Sequence, residues 1–388
     1  MIGLYVLLFG TTLLAMFYNS KFAVQKRENI LSAGYKENYT TVNMQNAIVA
    51  FAVFAILSIF CGLRTIFNDT RGYITGYLKL PRFSETVFTE QGNIGFLLYQ
   101  HILKDVFSVN VHVFVLISSI IPVFFIIRFC CKYSENFAIA VFIFVTCGLY
   151  VGFFGAMKQS LSIAFLFWSV DFLLNKKYIR FTALVLIAST FHMFAILFLM
   201  TPFLLNKAYN KGIYIFFGVT ITAGIFFNKF IEMFFNILEI FTDKYTEEVL
   251  VEYEGLGIMR LLVSAVMPII AFVFIKKIRE KNDKVLNLAI NMTAVCFFFN
   301  IIAFFGNPIL FGRLAFYFMP FYLISFPYIL LKIIPYRYRY IVLFSFILLY
   351  SIYYYNLFYK YFIVFGNTIA DIFRPINFFD LFKNTTDL

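Results

Sequence analysis

Residues 285–305 read VLNLAINMTAVCFFFNIIAFF, twenty-one consecutive positions without an Asp, Glu, Lys or Arg. At 1.5 Å per residue a helix of that length spans about 30 Å, the thickness of a bilayer's hydrocarbon core. A strand reading fails, because polar and apolar side chains do not alternate. Comparable runs lie near 2–18, 45–63, 109–129, 137–155, 157–174, 212–227, 258–275, 314–331 and 340–359. The pattern predicts an all-α, polytopic integral membrane protein with about ten transmembrane helices. Two further pieces predict one or two short or re-entrant segments: 93–104 is too short to cross, and 181–204 carries polar groups in its middle. The first run lacks a basic leader and a small-residue cleavage site, so it reads as a retained helix. No internal repeat or low-complexity linker divides the chain. It reads as a single multi-span membrane domain over 1–388, with outer loops near 64–92 and 228–257.

Composition agrees. Hydrophobic residues make up 62% of the 388 positions and charged residues 13%, about half the share an ordinary soluble domain carries. That excludes a soluble enzyme, a nucleic-acid module, a secreted disulfide scaffold and a disordered chain. Long unbroken apolar runs also argue against a transmembrane barrel. The five cysteines all sit inside such runs, without metal-ligand spacing, and read as small buried hydrophobes.

Lys and Arg outnumber Asp and Glu by 32 to 20, and in a membrane protein the excess marks cytoplasmic loops. Lys21, Lys26, Arg27 and Lys36 follow the first run; Arg128 and Lys132 follow the third; Lys176, Lys177 and Arg180 follow the fifth. Lys276, Lys277, Arg279, Lys281 and Lys284 form another cluster, and Lys332, Arg337 and Arg339 precede the last run. Arg180 and the Lys207/Lys211 pair both belong inside on this rule, yet 181–204 lies between them. A segment that enters from the cytoplasmic side and turns near 190–192 resolves the conflict, provided protein lines it. The loop 228–257 is acidic, and its first half also carries Phe230, Ile231, Phe234, Phe235, Leu238 and Phe241, which suits an interfacial amphipathic helix or a lid over a lipid-facing cleft.

Polar side chains inside or at the end of an apolar run need a reason, since a basic group at mid-bilayer costs roughly 2.5–3.5 kcal/mol. Arg64 ends the second run and is followed by Asn68-Asp69-Thr70-Arg71. It reads either as a snorkelling arginine paired with Asp69 or as part of an anion site with Arg71. Glu90 opens Glu90-Gln91-Gly92-Asn93-Ile94-Gly95-Phe96, as a helix-capping acid or as a general base. Lys158 and Gln159 start the fifth run, where a lysine opposes the helix dipole and helix formation does not explain it. Ser162, one turn on, is placed to face the same cavity. His192 coincides with the expected break in 181–204. Arg313 follows Gly306-Asn307-Pro308, with Tyr317 one turn beyond. Cations with a few acids, gathered where loops meet helix ends, suit a phosphate or pyrophosphate on a lipid.

The order of these motifs resembles the EpsG family of exopolysaccharide biosynthesis proteins, grouped with Wzy-type O-antigen and capsule polymerases. The resemblance runs from Arg64 through Asp69-Thr70, the Glu90 motif, Lys158-Gln159, Lys176-Lys177, Phe191-His192 and Gly312-Arg313 to Tyr317, with Arg374-Pro375-Ile376-Asn377-Phe378-Phe379 as a closing aromatic motif. Three departures stand out. Lys158 replaces a usual arginine, Asn68 stands where a glycine is common, and Asn93-Ile94 interrupts the Glu motif.

What the resemblance implies is a glycosyltransferase, multi-pass in the bacterial inner membrane, that polymerises oligosaccharide repeat units carried on undecaprenyl pyrophosphate at the outer face. Donor and acceptor lipid-linked oligosaccharides would be its substrates, with a flippase and a chain-length regulator as candidate partners. In that picture Arg64, Lys158 and Arg313 clamp the pyrophosphate, with Arg71, Gln159 and Tyr317 beside them. Glu90 or His192 serves as base and Asp69 orients Arg64. No metal or cofactor is called for. The rivals are a lipid-linked oligosaccharide flippase, whose cations should line a cavity open to both sides, and another membrane glycosyltransferase using a polyprenyl-phosphate sugar.

Overall fold

The computed structural model describes residues 2–20, 43–65, 67–86, 93–226, 229, 257–305 and 308–364. Its regular structure among them is entirely helical: sixteen α-helices with short 3-10 and π segments. The chain divides into two compact units, 1–198 with 354–388, and 199–353.

The first unit holds α1 (Ile2–Met16), α2 (Met44–Gly62), α3 (Thr70–Lys79), α4 (Ile94–His101), α5 (Val111–Tyr133), α6 (Phe137–Thr146), α7 (Leu149–Gly155), α8 (Met157–Leu174) and α9 (Tyr178–Phe191). Helix α5 packs against α2 and α8, and α8 forms a hairpin with α9. The α2–α5 approach depends on Gly62, where a Cβ would stand 2.5 Å from Leu116 Cδ1 and 3.1 Å from its Cα. Between α6 and α7 the helix bends by 47° at Gly148, whose φ of 95° is available to glycine at little cost.

The second unit holds α10 (Lys211–Ile225), α11 (Ile258–Val273), α12 (Ile275–Lys281), α13 (Lys284–Phe305), α14 (Pro308–Phe316) and α15 (Tyr322–Tyr328); α16 (Tyr336–Val364) begins in it and ends in the first. The uncharged stretch 285–305 lies in α13, which packs against α10, α11, α14 and α15. Its three asparagines are buried. Asn287 and Asn291 donate to the carbonyls of Asn206, Leu204 and Lys207, tying down the turn before α10.

All ten apolar runs prove helical, but not all reach spanning length. Among the described residues six helical stretches are long and apolar enough to cross a membrane, and up to eight if the two bent pairs, α6–α7 and α11–α12, each count as one. Helices α1 and α10, at 15 residues each, fall short of the roughly 20 that a crossing takes. Among the described residues the expected count of about ten is therefore not confirmed.

The expected break in 181–204 is present. Helix α9 ends at Phe191, His192 is extended at φ −151° and ψ 112°, and a 3-10 helix Met193–Leu204 follows. The loop 228–257 and the 374–379 motif lie almost wholly outside the described residues.

Candidate functional site

Arg64 is 1% exposed. Its Nη1 donates to the Cys61 carbonyl at 2.6 Å and to Ser119 Oγ at 2.7 Å. Its Nε donates to the Phe154 carbonyl at 2.7 Å and to Thr70 Oγ1 at 3.2 Å. The Thr70 hydroxyl donates to that same carbonyl at 2.8 Å. One guanidinium thus joins the end of α2, the start of α3, the middle of α5 and the α7–α8 elbow. Burial pushes its pKa below the ordinary arginine value. Asp69 is exposed at the N-terminus of α3.

Asn68 sits in the left-handed region at φ 43°, where glycine and asparagine are tolerated best. A residue that departs from the family pattern therefore keeps the backbone a glycine would supply. Its side chain lies on Gly155, where a Cβ would come within 3.0 Å of Asn68 Cβ and Nδ2. Arg71, the second residue of α3, is exposed.

Beyond Gly155 the chain turns into α8, and Lys158 is its second residue. The half-buried Lys158 places Nζ 5.2 Å from the centroid of the Phe96 ring on α4, a cation–π contact. Gln159 is buried. Ser162 is fully buried and donates to the Ala188 carbonyl at 2.9 Å, fastening α8 to α9.

Helix α4 in turn lies on the end of α9. A Cβ at Gly95 would stand 2.1 Å from Thr190 Oγ1, 2.9 Å from Thr190 Cβ and 3.0 Å from the Phe191 ring. His192 follows directly, half-buried, with its ring 5.8 Å from that of Phe194. Under these contacts Tyr77, Phe96, Phe114, Met157, Leu161 and Phe191 share one apolar cluster. The structure thus gathers the 64–71 motif, the start of α4, Lys158-Gln159 and Phe191-His192 at one end of the first unit. Glu90 lies outside the described residues.

At the other end of α8 stands Asp171, which sequence reasoning missed. Arg128 and Tyr133 hydrogen-bond to it and Lys132 Nζ lies 2.8 Å away. At 1.5 Å per residue this knot is about 20 Å along α8 from Lys158. An acid in Trp168-Ser169-Val170-Asp171, near the end of an apolar run, was the available signal.

Arg313 and Tyr317 belong to the second unit. Arg313 is half-buried on α14 and Tyr317 is 1% exposed just beyond it. Beside them is Arg260, also missed, one turn into α11. Its Nη2 donates to the Gly312 carbonyl at 2.7 Å, and its buried Nε has no hydrogen-bond partner among the described residues. An arginine inside the apolar run 258–275 already met the test applied to Arg64.

No curated protein and no solved structure matches the chain. The model of the EpsG family matches residues 47–367, most of its length. The chain therefore belongs to the EpsG family, a family of Wzy-like polymerases.

Proposed function

We propose that this EpsG-family protein is a membrane glycosyltransferase that joins oligosaccharide repeat units carried on undecaprenyl pyrophosphate, at the outer face of the bacterial inner membrane. The observation that carries the reading is the convergence of four separate motifs at one end of the first unit, through the contacts Asn68–Gly155, Lys158–Phe96 and Gly95–Thr190. That end is opposite the Arg128, Lys132 and Asp171 knot, and Arg128 and Lys132 are among the residues that the loop-charge rule assigns to the cytoplasm.

In the reaction an acceptor hydroxyl attacks the donor's anomeric carbon, the bond from that carbon to the pyrophosphate oxygen breaks, and the lipid pyrophosphate leaves with the electron pair. Charge grows on the leaving group, so fixed cations aimed at it lower the barrier. In this reading Lys158 and Arg71 of the first unit bind the pyrophosphate, with Gln159 beside them; within the second unit Arg313, with Tyr317 one turn on, is a candidate anion-binding cation in its own right. Arg64, with four groups already on its guanidinium, is a positioning residue that holds the 68–71 turn against the α7–α8 elbow. Its buried charge adds to the field. His192, Glu90 and Asp69 are the groups able to take the hydroxyl proton.

Lys158→Ala tests this. In a deletion strain complemented with the variant, lipid-linked single units are expected at the outer face, with long chains reduced by at least about 100-fold, as for loss of one electrostatic donor. Protein level in the membrane should match wild type. Unchanged chain length would overturn the site, and units trapped on the cytoplasmic side would assign the protein to flipping.

A further inference from the structure

The second unit contains a cavity of about 340 Å³ lined by Asn206, Lys207, Tyr209, Asn210, Lys211, Tyr214 and Arg279. Three of these are cations and none is a carboxylate. The polymerase reading makes no use of them.

The cavity wall is built rather than incidental. Tyr209 is held at φ 50°, a left-handed backbone that a non-glycine residue keeps only where its surroundings fix it. Here they do. The Tyr209 amide donates to Asn291 Oδ1 at 2.7 Å and its hydroxyl to the Pro268 carbonyl at 2.6 Å. Arg279 donates through Nε to the Ala208 carbonyl at 3.1 Å and through Nη2 to the Tyr209 carbonyl at 2.8 Å. Asn210 caps α10 by accepting from the Ile213 amide at 3.1 Å. The turn is thereby locked with an exposed lysine on either side of Tyr209, and the Arg279 guanidinium is fixed on the wall between the carbonyls it bonds.

We propose that this cavity binds a phosphate-bearing anion, with Lys207 and Lys211 as the mobile donors and Arg279 as the fixed one. Lysines suit a phosphate as point charges, and an arginine whose fork is already oriented loses little freedom on binding. The loop-charge rule assigns all three to the cytoplasmic face, where anionic lipid headgroups are concentrated. Tyr214, exposed beside the cavity with Ile215 and Phe217 also exposed on α10, offers the apolar flank that a lipid's acyl chains would follow.

The test uses the full-length protein in detergent, titrated with phosphatidylglycerol or with inorganic phosphate and followed by native mass spectrometry. Wild type should retain phosphatidylglycerol, and the Lys207→Ala/Lys211→Ala variant should bind it about tenfold more weakly or less, having lost two charge-assisted contacts. Lys276→Ala/Lys281→Ala removes equal charge from exposed positions outside the cavity and should leave affinity within about twofold. Displacement of the lipid by millimolar inorganic phosphate assigns the site to phosphate itself; retention assigns it to the lipid headgroup. Equal loss in both double variants, or none in either, overturns the proposal. Both pairs are exposed, and matching thermal melting across the three proteins separates lost binding from lost fold.

Discussion

Asn68 and Gly155 meet across 87 positions of sequence, and each explains the other. The left-handed turn at Asn68 aims its side chain at the α7–α8 elbow, and a hydrogen at position 155 is what lets it approach. Gly155→Ala inserts a methyl group 3.0 Å from Asn68 Cβ and Nδ2, and overpacking of that kind costs about 1–3 kcal/mol. Asn68→Gly keeps the backbone conformation and removes the obstructing atoms. It should therefore be mild alone, and it should recover most of the Gly155→Ala loss in the double variant. Thermal melting in detergent measures all four proteins. Costs that add to within about 0.5 kcal/mol would show that the two residues are not coupled. Arg64 illustrates what a sequence carries at this scale. Its oddity was legible, because an arginine at the end of an apolar run has to be held by something. Its partners were not, since one is a backbone carbonyl 90 positions away and carbonyls leave no mark on the residue letters.

At the scale of helices, glycines with opposite surroundings give opposite expectations. Gly62 is pressed against the backbone of α5, so Gly62→Ala meets Leu116 Cα at 3.1 Å and should destabilise by about 1–3 kcal/mol. Gly76 lies inside α3, and a Cβ added there would meet nothing within 4 Å. Gly76→Ala should therefore stabilise, by up to about 1 kcal/mol, through helix propensity alone. Melting temperatures moving in the same direction would refute the packing assigned to α2 and α5. Helix existence was easy to read because twenty apolar residues admit few alternatives. Helix ends and bends were harder. The 47° bend turns on the single Gly148, and α10 stops at 15 residues inside a run that looked long enough to span. Hydropathy measures where a helix is soluble in lipid, and local packing decides where it stops. Likewise Asp171 and Arg260 were hidden by the hydropathy of their neighbours, although by charge alone both were as conspicuous as Lys158.

At the scale of the whole molecule, the path between Arg180 and Lys211 sets the membrane topology. Helix α9 has 14 residues and the 3-10 helix after it 12. At their respective rises these legs are about 21 Å and about 24 Å long, each shorter than a 30 Å hydrocarbon core. They meet at an extended His192, and both outer ends are basic. A chain that enters, turns at His192 and returns keeps Lys177 and Lys211 on one face and leaves His192 partway up, beside the start of α4. Single cysteines replacing Lys177 and Lys211, in a background with the five native cysteines removed, decide between this path and a full crossing. With a membrane-impermeant maleimide, both should stay unlabelled in intact cells and both should react in inverted vesicles. Labelling of one but not the other in intact cells would make 181–204 a true span. It would also reverse the sidedness of everything after it, so that the basic cavity at Lys207 would face outward and lose its access to cytoplasmic phosphate.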